Sequence, residues 1–490
     1  MRRLGVGLGA TSLGLLALGL LNAARLDSLQ PEPTPPGPVP VDVRQAVDRL
    51  SRALTISTVS FDDRQQTDST AFLALHAFLK DAYPLVHRYL NHEAVANLSL
   101  LYTWRGLEPT LAPIVLMGHL DVVPVEPGTE REWTHPPFSG AVADGFIWGR
   151  GALDNKSGVL AVFEAVELLL AQGFRPRHTV HLAFGHDEEI GGHGANAIRN
   201  TLAARGVTDF ALVLDEGGAI VPGTTLGLTT PIAFVGIAEK GILTLELRVN
   251  AGGGHSSSPR PETAIGILSH AVARLEDNPF PVRLDGVVGH TLKYLAPETP
   301  LGTRFILANL WLFRPLVARA LARTPAGAAL VRTTTAPTIL SAGTKANVLP
   351  SEAVALINFR ILPGETRDTV VASARAAVDD TRVKIQVTTH VHTEPGPMSN
   401  PSSPAFRLIA QTVRDVYGAD DVVVAPYLTF FATDARYYAD TSTNVFRFLG
   451  FRFEADATER AHGTDERLAV ESYLDGIGFL HRLIQQTDEL

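Results

Sequence analysis

Histidine and carboxylate side chains recur in this sequence just where predicted strands or glycine-marked turns end. Imidazole and carboxylate groups are the hard nitrogen and oxygen donors that suit zinc or a similar divalent ion. Because ligands of an open α/β sheet bind outside the carboxyl ends of its strands, donors at four successive ends should converge. A lone histidine or acidic pair is usually structural or solvated, but four clusters in order favour metal-assisted hydrolysis. The candidate donors are His119, Asp154, Glu188, Glu189 and Asp215.

The elements that would position these donors alternate between strand and helix. Such alternation predicts a mostly parallel sheet covered on both faces by helices. A further helix at 406–417 and strands at 422–425 and 445–448 return the chain to this sheet. The preceding predicted strands cover 98–104, 113–117, 179–184 and 210–214, and the predicted helices cover 41–54, 70–81, 158–172 and 194–204.

The pattern changes after Lys240. Residues 242–249, 353–361 and 383–387 alternate between apolar and polar, as strands with one wet face do. We therefore predict an α/β protein in which a mostly parallel-sheet domain carries an inserted, smaller α+β domain. The predicted divisions are an N-terminal targeting segment at 1–30, a proline-rich linker at 31–40, the large domain at 41–240 and 396–490, and the inserted domain at 241–395.

Composition limits the classes of function. A chain of 490 residues exceeds the size of one core, so two domains are expected. The net charge of -9 and the isoelectric point near 6.0 give no support for nucleic-acid binding. Because the chain has no cysteine, any zinc must be held by histidine and carboxylate groups.

The N-terminus predicts export. Arg2 and Arg3 precede an apolar run at 4–21, which is typical of a signal peptide or signal anchor, whereas a cytosolic tail is rarely so apolar. The run is near the lower length limit for a spanning helix, so cleavage and anchoring both stay open. Either outcome places the folded chain outside the cytoplasm, in the periplasm or beyond.

Six motifs together resemble the M20 family of di-zinc metallopeptidases and amidohydrolases, over residues from about 41 to the C-terminus. Within it the chain is most similar to the carboxypeptidase S and N-fatty-acyl-amino-acid synthase/hydrolase branch, through the segments at 332–336, 347–350, 358–360 and 433–438. The family motifs are HLDVVP at 119–124, GRGALDNK at 149–156, GHDEE at 185–189, LDEG at 214–217, GHSS at 254–257 and AHG at 461–463.

The resemblance implies two zinc ions bridged by Asp154, although other divalent ions also suit these donors. It assigns His119 and Asp215 to one ion and Glu189 and His462 to the other. It also implies a cis peptide bond between Asp154 and Asn155.

The remaining site residues surround the predicted ions. Asp121 lies two residues after His119, so its carboxylate can reach the imidazole and orient it. The resemblance makes Glu188 the general base and His255 of the inserted domain an oxyanion donor. Residues predicted to hold a substrate carboxylate are Asn347, Arg360 and Arg436, because guanidinium binds carboxylate in a bidentate fork.

The resemblance implies an enzyme that cleaves an amide bond beside a free carboxylate. The substrate would be an N-acyl amino acid, with a fatty acyl chain and reversible action both open, or a short peptide cut by a carboxypeptidase. The apolar segment at 305–329 could line a lipid route or form core or subunit contacts. A catalytically inactive metal-binding module and a membrane-anchored scaffold are the alternatives from other classes, and the inserted domain could act as a lid or form a homodimer.

Overall fold

The computed structural model describes residues 14–34, 37, 39–224, 226–389, 392–418 and 420–490. Arg2, Arg3 and the first part of the apolar N-terminal run lie outside the described residues.

The helices are bounded by their own capping groups in several cases. Asp42, Asp68, Thr263 and Ser403 each accept a backbone N–H of the first helical turn, and such caps satisfy otherwise unpaired donors. The α-helices are α1 (14–24), α2 (Val43–Leu54), α3 (Ser69–Ala82), α4 (Pro84–Tyr89), α5 (Lys156–Ala171), α6 (His193–Ala204), α7 (Ala264–Asp277), α8 (Gly286–Leu295), α9 (Leu301–Ala308), α10 (Leu310–Leu321), α11 (Pro325–Val331), α12 (Arg367–Val378), α13 (Pro404–Tyr417), α14 (Ala457–Arg460) and α15 (Val470–Gln486).

The strands fall into two main sheets and two small ones. The strands are β1 (Asn91–Val95), β2 (Ser99–Trp104), β3 (Ile114–His119), β4 (Val142–Ala143), β5 (Phe146–Trp148), β6 (Val180–Gly185), β7 (Leu212–Asp215), β8 (Ile220–Val221), β9 (Ile232–Glu239), β10 (Gly241–Asn250), β11 (Gly254–His255), β12 (Thr334–Ala342), β13 (Val348–Leu349), β14 (Glu352–Ile361), β15 (Val383–Val387), β16 (Val423–Thr429), β17 (Val445–Arg447) and β18 (Arg467–Ala469).

The large sheet has the order β1-β2-β6-β3-β7-β17-β9-β16, with β8 beside β9. Its centre is parallel, because β3 pairs in parallel with both β6 and β7, and β17 with β7. The central strands are buried along their whole length, as both faces are covered. Leu160 and Phe163 of α5 pack in the core on one face, and Ile198 of α6 packs on the other. The predicted α/β class is confirmed.

The inserted domain is a four-stranded antiparallel sheet, in the order β12-β14-β10-β15. Alternate residues of β10 and β14 are buried under α7 and α12, which gives the strict alternation seen in the sequence. Two of the connections between this domain and the large domain run side by side, at Ile242 and at Thr393. The backbone N–H of each of these residues donates to the carbonyl of the other at 3.0 Å. A Cβ on Gly241 would lie 2.6 Å from the Thr393 carbonyl oxygen, so this close crossing requires glycine.

Helices α8 to α11 lie within the predicted 241–395 range but do not belong to the inserted sheet. Tyr294 and Leu295 of α8 join the core of the large domain. The Thr291 hydroxyl donates to the Pro426 carbonyl of β16 at 2.7 Å, and the Tyr294 hydroxyl donates to the Pro401 carbonyl at 2.7 Å. The single inserted range is therefore corrected: the chain returns to the large domain between β10 and β12. Apolar helical periodicity alone could not show which core these helices join.

The described part of the predicted proline-rich linker, together with the residues just before it, is bound to the large domain. The Gln30 side chain makes two hydrogen bonds to the backbone of Val424, at 2.9 and 2.8 Å. The Thr34 N–H donates to the Asp415 carboxylate at 2.7 Å. These contacts hold residues 28–34 against α13 and β16. Proline has no backbone N–H to donate, and here the side-chain amide of Gln30 makes the hydrogen bonds to the strand instead.

Candidate active site

The sheet order brings the predicted donors to one edge. Strand β3 lies between β6 and β7, so the residues after these three strands are neighbours in space. His119 is the last residue of β3, Glu188 and Glu189 form a short turn after β6, and Glu216 follows β7. Asp154 enters from the loop between β5 and α5.

Two groups of three side chains share Asp154. One oxygen of Asp154 lies 2.8 Å from His119 Nε2, and the other lies 3.0 Å from His462 Nε2. Glu216 Oε1 is 3.3 Å from His119 Nε2, and Glu189 Oε1 is 3.2 Å from His462 Nε2. The groups His119–Asp154–Glu216 and Asp154–Glu189–His462 each present donor atoms close enough to bind one ion. A cis peptide bond joins Asp154 to Asn155, as predicted.

Glu216, and not Asp215, takes the place beside His119. Asp215 and Val213 point to the same face of β7, because side chains alternate along a strand, and Val213 packs with Ala435. The Asp215 carboxylate accepts the Ala435 N–H at 2.7 Å and the Glu216 N–H at 2.9 Å. The structure therefore groups Glu216, rather than the predicted Asp215, with His119 and Asp154, and the role of Asp215 as a ligand stays a prediction.

Asp121 connects the imidazole to the acidic pair. Its Oδ1 is 3.3 Å from His119 Nδ1. The same carboxylate accepts the N–H groups of Glu188 and Glu189, at 3.1 and 3.2 Å, and the Ser60 hydroxyl at 2.6 Å. It is fully buried, so one charged group orients His119 and the turn after β6 together.

Glu188 directly precedes Glu189 in the chain and contacts a largely buried guanidinium. Arg436 Nη1 is 3.4 Å from Glu188 Oε1, and the Arg436 guanidinium carbon is 4.9 Å from the Tyr437 ring centre. Burial raises the pKa of Glu188 well above its usual range, the charge of Asp434 adds to the rise, and Arg436 opposes it. Arg436, predicted to hold a substrate carboxylate, lies against the candidate base.

The loop that carries Asp154 rests on a residue that the sequence did not single out. Glu466 accepts the backbone N–H groups of Gly151, Leu153 and Asp154, at 3.0, 2.8 and 3.2 Å. Its second oxygen accepts Arg150 Nη1 at 2.6 Å, and both side chains are buried. Glu466 is over three hundred positions along the chain from this loop, so no local pattern reports the contact.

We expect Glu466→Ala to lower the free energy of unfolding by about 3–5 kcal/mol, because Arg150 would be left buried and unpaired. Glu93→Ala removes an exposed ion pair with Arg205 and serves as the matched control, with an expected loss of about 0.2–1 kcal/mol. Urea unfolding of both variants measures the difference. A loss for Glu466→Ala no larger than the control would contradict the role of this pair.

Residues of the inserted domain fall in two places. The Ser256 N–H donates to the Asn347 carbonyl at 3.1 Å, and β11 pairs His255 with Val348, so Asn347 and His255 share one small ribbon. His255 is exposed and its Nδ1 accepts from Ser257 of its own loop, with no hydrogen bond to the metal-site groups among the residues that the structure describes. Arg360 is half-buried opposite Ile242 at the domain crossing, and burial lowers its pKa.

The charges of the site fit divalent cations. Burial and the charge of Asp154 raise the pKa of Glu189 to about 7 and the pKa of Glu216 to about 8. Crowded carboxylates repel each other, and a cation between them removes that cost. The donor set contains imidazole and carboxylate groups with no thiolate, which suits zinc and similar ions.

The sequence comparisons give the family. The profile of Peptidase family M20/M25/M40 matches residues 115–486. The chain belongs to this family. It is 43% identical over 449 residues to Probable carboxypeptidase S-like 2 of Dictyostelium discoideum, covering 91% of this chain and 85% of that protein. It is 40% identical over 445 residues to N-fatty-acyl-amino acid synthase/hydrolase PM20D1 of Mus musculus, covering 90% of this chain and 87% of that protein. The M20 resemblance, its branch and the assignment as a metallohydrolase are confirmed.

Solved structures support the fold. The M20 family metallo-carboxypeptidase Sso-CP2 of Sulfolobus solfataricus superposes with a TM-score of 0.67 at 18% identity, covering 91% of this chain and 99% of that one. Human carnosine dipeptidase 1 gives a TM-score of 0.62 at 17% identity, covering 92% and 100%. At these low sequence identities, both superpositions support the fold alone.

Proposed function

We propose that this M20 metallohydrolase uses two zinc ions to cleave the amide bond of N-acyl amino acids beside their free carboxylate. The observation that carries the proposal is the sharing of Asp154 between two groups of candidate ligands. Glu188 directly precedes Glu189 of the second group, and the charge of His119 in the first group acts on it. The donors that would hold the ions are His119 and Glu216 on one side, Glu189 and His462 on the other, and Asp154 between them. Such ions would polarise the amide carbonyl and activate a water for attack.

Three protein side chains would transfer protons, orient a metal ligand or stabilise charge in the proposed reaction. Glu188 takes a proton from the attacking water and returns it to the leaving amine, which suits a carboxylate whose pKa is raised by burial. Asp121 keeps His119 oriented through Nδ1. Arg436 stabilises the charged form of Glu188 between proton transfers.

The preference for a substrate carboxylate is supported by Arg360. It is half-buried, it faces the domain crossing, and the structure gives it no acidic partner among the residues it describes. An unpaired guanidinium in such a place favours an anionic group, which it binds through two parallel N–H donors. Asn347, on the ribbon that carries His255, would contact the same end of the substrate.

The acyl part of the proposed substrate is supported by the relatives. The match to N-fatty-acyl-amino acid synthase/hydrolase covers nine-tenths of the chain at 40% identity, so the proposal extends to fatty acyl groups and to reversible action. The second candidate, a carboxypeptidase acting on short peptides, is supported by the 43% identity to a carboxypeptidase S-like protein and 31% identity to Carboxypeptidase S of Saccharomyces cerevisiae. An inactive module would have no need of Glu188.

The deciding experiment compares kcat/KM for N-oleoyl-phenylalanine and for an N-blocked dipeptide with a free carboxylate. The first proposal predicts the higher value for N-oleoyl-phenylalanine, and the methyl ester of each substrate serves as the control for carboxylate recognition. A higher value for the dipeptide favours the carboxypeptidase, and no hydrolysis of either substrate by the metal-loaded enzyme would contradict both.

His255 is proposed to reach the scissile carbonyl only when the inserted domain closes about the crossing of Gly241 and Thr393. We expect His255→Ala to lower kcat by about 10²–10³-fold with little change in KM, because an oxyanion donor acts as charge develops. Ser258→Ala, a small change three residues away, is the control. A raised KM with unchanged kcat would mean that His255 only holds the substrate.

A further inference from the structure

One stretch of the chain is basic although the protein as a whole is acidic. No aspartate or glutamate occurs from Thr299 to Ser351, whereas the chain carries a net charge of -9. The six basic residues of this stretch are Arg304, Arg314, Arg319, Arg323, Arg332 and Lys345. Helices α9, α10 and α11, which pack on the large domain, occupy its first part. Four of the six, Arg304, Arg314, Arg319 and Arg323, lie on α9, on α10 or in the turn after α10.

Helix α10 and the turn after it expose apolar and basic groups in a single stripe. Val317 packs inward against Leu307 and Val331. Leu312, Leu316, Arg319 and Arg323 follow at helical spacing on the opposite side, and all four are exposed. Leu316 is 56% exposed, and Trp311 beside this stripe is 59% exposed. Arg319 and Arg323 have no ion pair within the described part of the chain.

Helix α1 extends the same surface. The Asn309 side chain donates to the Gly19 carbonyl at 3.0 Å, and the Asn22 amide donates to Asn309 Oδ1 at 2.8 Å. Gly19 allows the close approach, because a Cβ there would lie 2.6 Å from the Phe305 ring. Apart from the side of Gly19 and Ala23, α1 is largely exposed, and its exposed leucines are Leu15, Leu16, Leu18, Leu20 and Leu21.

The segment that follows α1 is held to the folded protein at two places. Leu26 packs in the cluster of α8, α10 and α11, and Gln30 and Thr34 are hydrogen-bonded to β16 and α13. The exposed leucines of α1 are therefore held next to the start of α10, and we call these leucines and the stripe of α10 together the α1–α10 surface. No helix in the described ranges has the length and hydropathy to cross a bilayer.

We propose that the α1–α10 surface docks the protein onto a lipid bilayer that contains anionic lipids. Leucine side chains would enter the acyl boundary, Trp311 would lie at headgroup level, and Arg319 and Arg323 would meet lipid phosphates. Charge complementarity selects this occupant, since uncompensated arginines beside exposed leucines match an anionic headgroup layer above an apolar layer. The docking does not depend on the reaction proposed above.

The test is flotation of the full-length protein with vesicles of phosphatidylcholine alone or with phosphatidylserine added. We expect flotation only with phosphatidylserine, weakened by added salt. Leu312→Ser with Leu316→Ser, and separately Arg319→Glu with Arg323→Glu, should each reduce the bound fraction by at least about tenfold.

Matched controls change the same residue types elsewhere on the exposed surface. Leu73→Ser with Leu107→Ser, and Arg105→Glu with Arg131→Glu, should leave the bound fraction unchanged. Failure of the wild-type protein to float with phosphatidylserine vesicles would overturn the proposal. Equal losses in the control and α1–α10 variants, or no loss in either, would also overturn it. So would sedimentation showing a dimer that the α10 variants dissociate while lipid binding is absent, because a second copy would then be the occupant.

Discussion

Replacing Glu188 by glutamine is expected to lower kcat by about 10²–10⁴-fold while the metal content stays at the wild-type value. Glutamine keeps the size and the hydrogen-bonding geometry of the side chain but cannot accept the proton of the attacking water. Glu188 forms no hydrogen bond or ion pair with His119 or His462 among the described residues, whereas Glu189 Oε1 lies 3.2 Å from His462 Nε2. The neighbouring acids should therefore respond differently to the same substitution.

Glu189→Gln is the matched control. It should lose metal together with activity, because it removes a charged donor from the group of Asp154 and His462. Steady-state kinetics and elemental analysis of both purified variants separate the two roles. Loss of metal in Glu188→Gln, with retention in Glu189→Gln, would mean that the base and the ligand are exchanged.

Glu216 and Asp215 form a second adjacent pair with opposite expected behaviour. Glu216→Gln should weaken metal binding by more than the roughly 10–100-fold that removal of a supporting group costs, since the carboxylate itself would be a ligand. Asp215→Asn should keep both ions within that range and instead destabilise the turn at Ala435, whose N–H it accepts. Isothermal titration of the metal-free variants with zinc measures both affinities.

If Asp215→Asn weakened zinc binding more than Glu216→Gln, Asp215 would be the ligand, as the sequence predicted. Equal and small losses of zinc affinity in both variants would mean that neither residue at the end of β7 is a metal ligand.

Sequence patterns were sufficient for the parts of this protein that depend on buried strands and their ends. The apolar runs before His119 and Glu188 predicted central strands, and parallel pairing of β3 with β6 and β7 brings those ends together. The choice between Asp215 and Glu216 could not be made in this way. Both follow the same strand, and the choice depends on which side of the sheet the last strand residue faces, a matter of one position.

Contacts between residues far apart in the sequence could not be predicted either. Glu466 supports the Asp154 loop from the far end of the chain, and Arg436, predicted to hold a substrate carboxylate, lies against Glu188. Helices α8 to α11 have the same apolar periodicity whichever domain they join. In each case the deciding contact involves residues far apart in sequence, about which composition and periodicity carry no information.

The most direct test of the central claim is a crystal structure of the zinc-soaked protein, with anomalous diffraction recorded on both sides of the zinc absorption edge. We expect two zinc peaks, each contacted by one oxygen of Asp154, with His119 and Glu216 on one ion and Glu189 and His462 on the other. A single peak, or two peaks that do not share Asp154, would contradict the central claim.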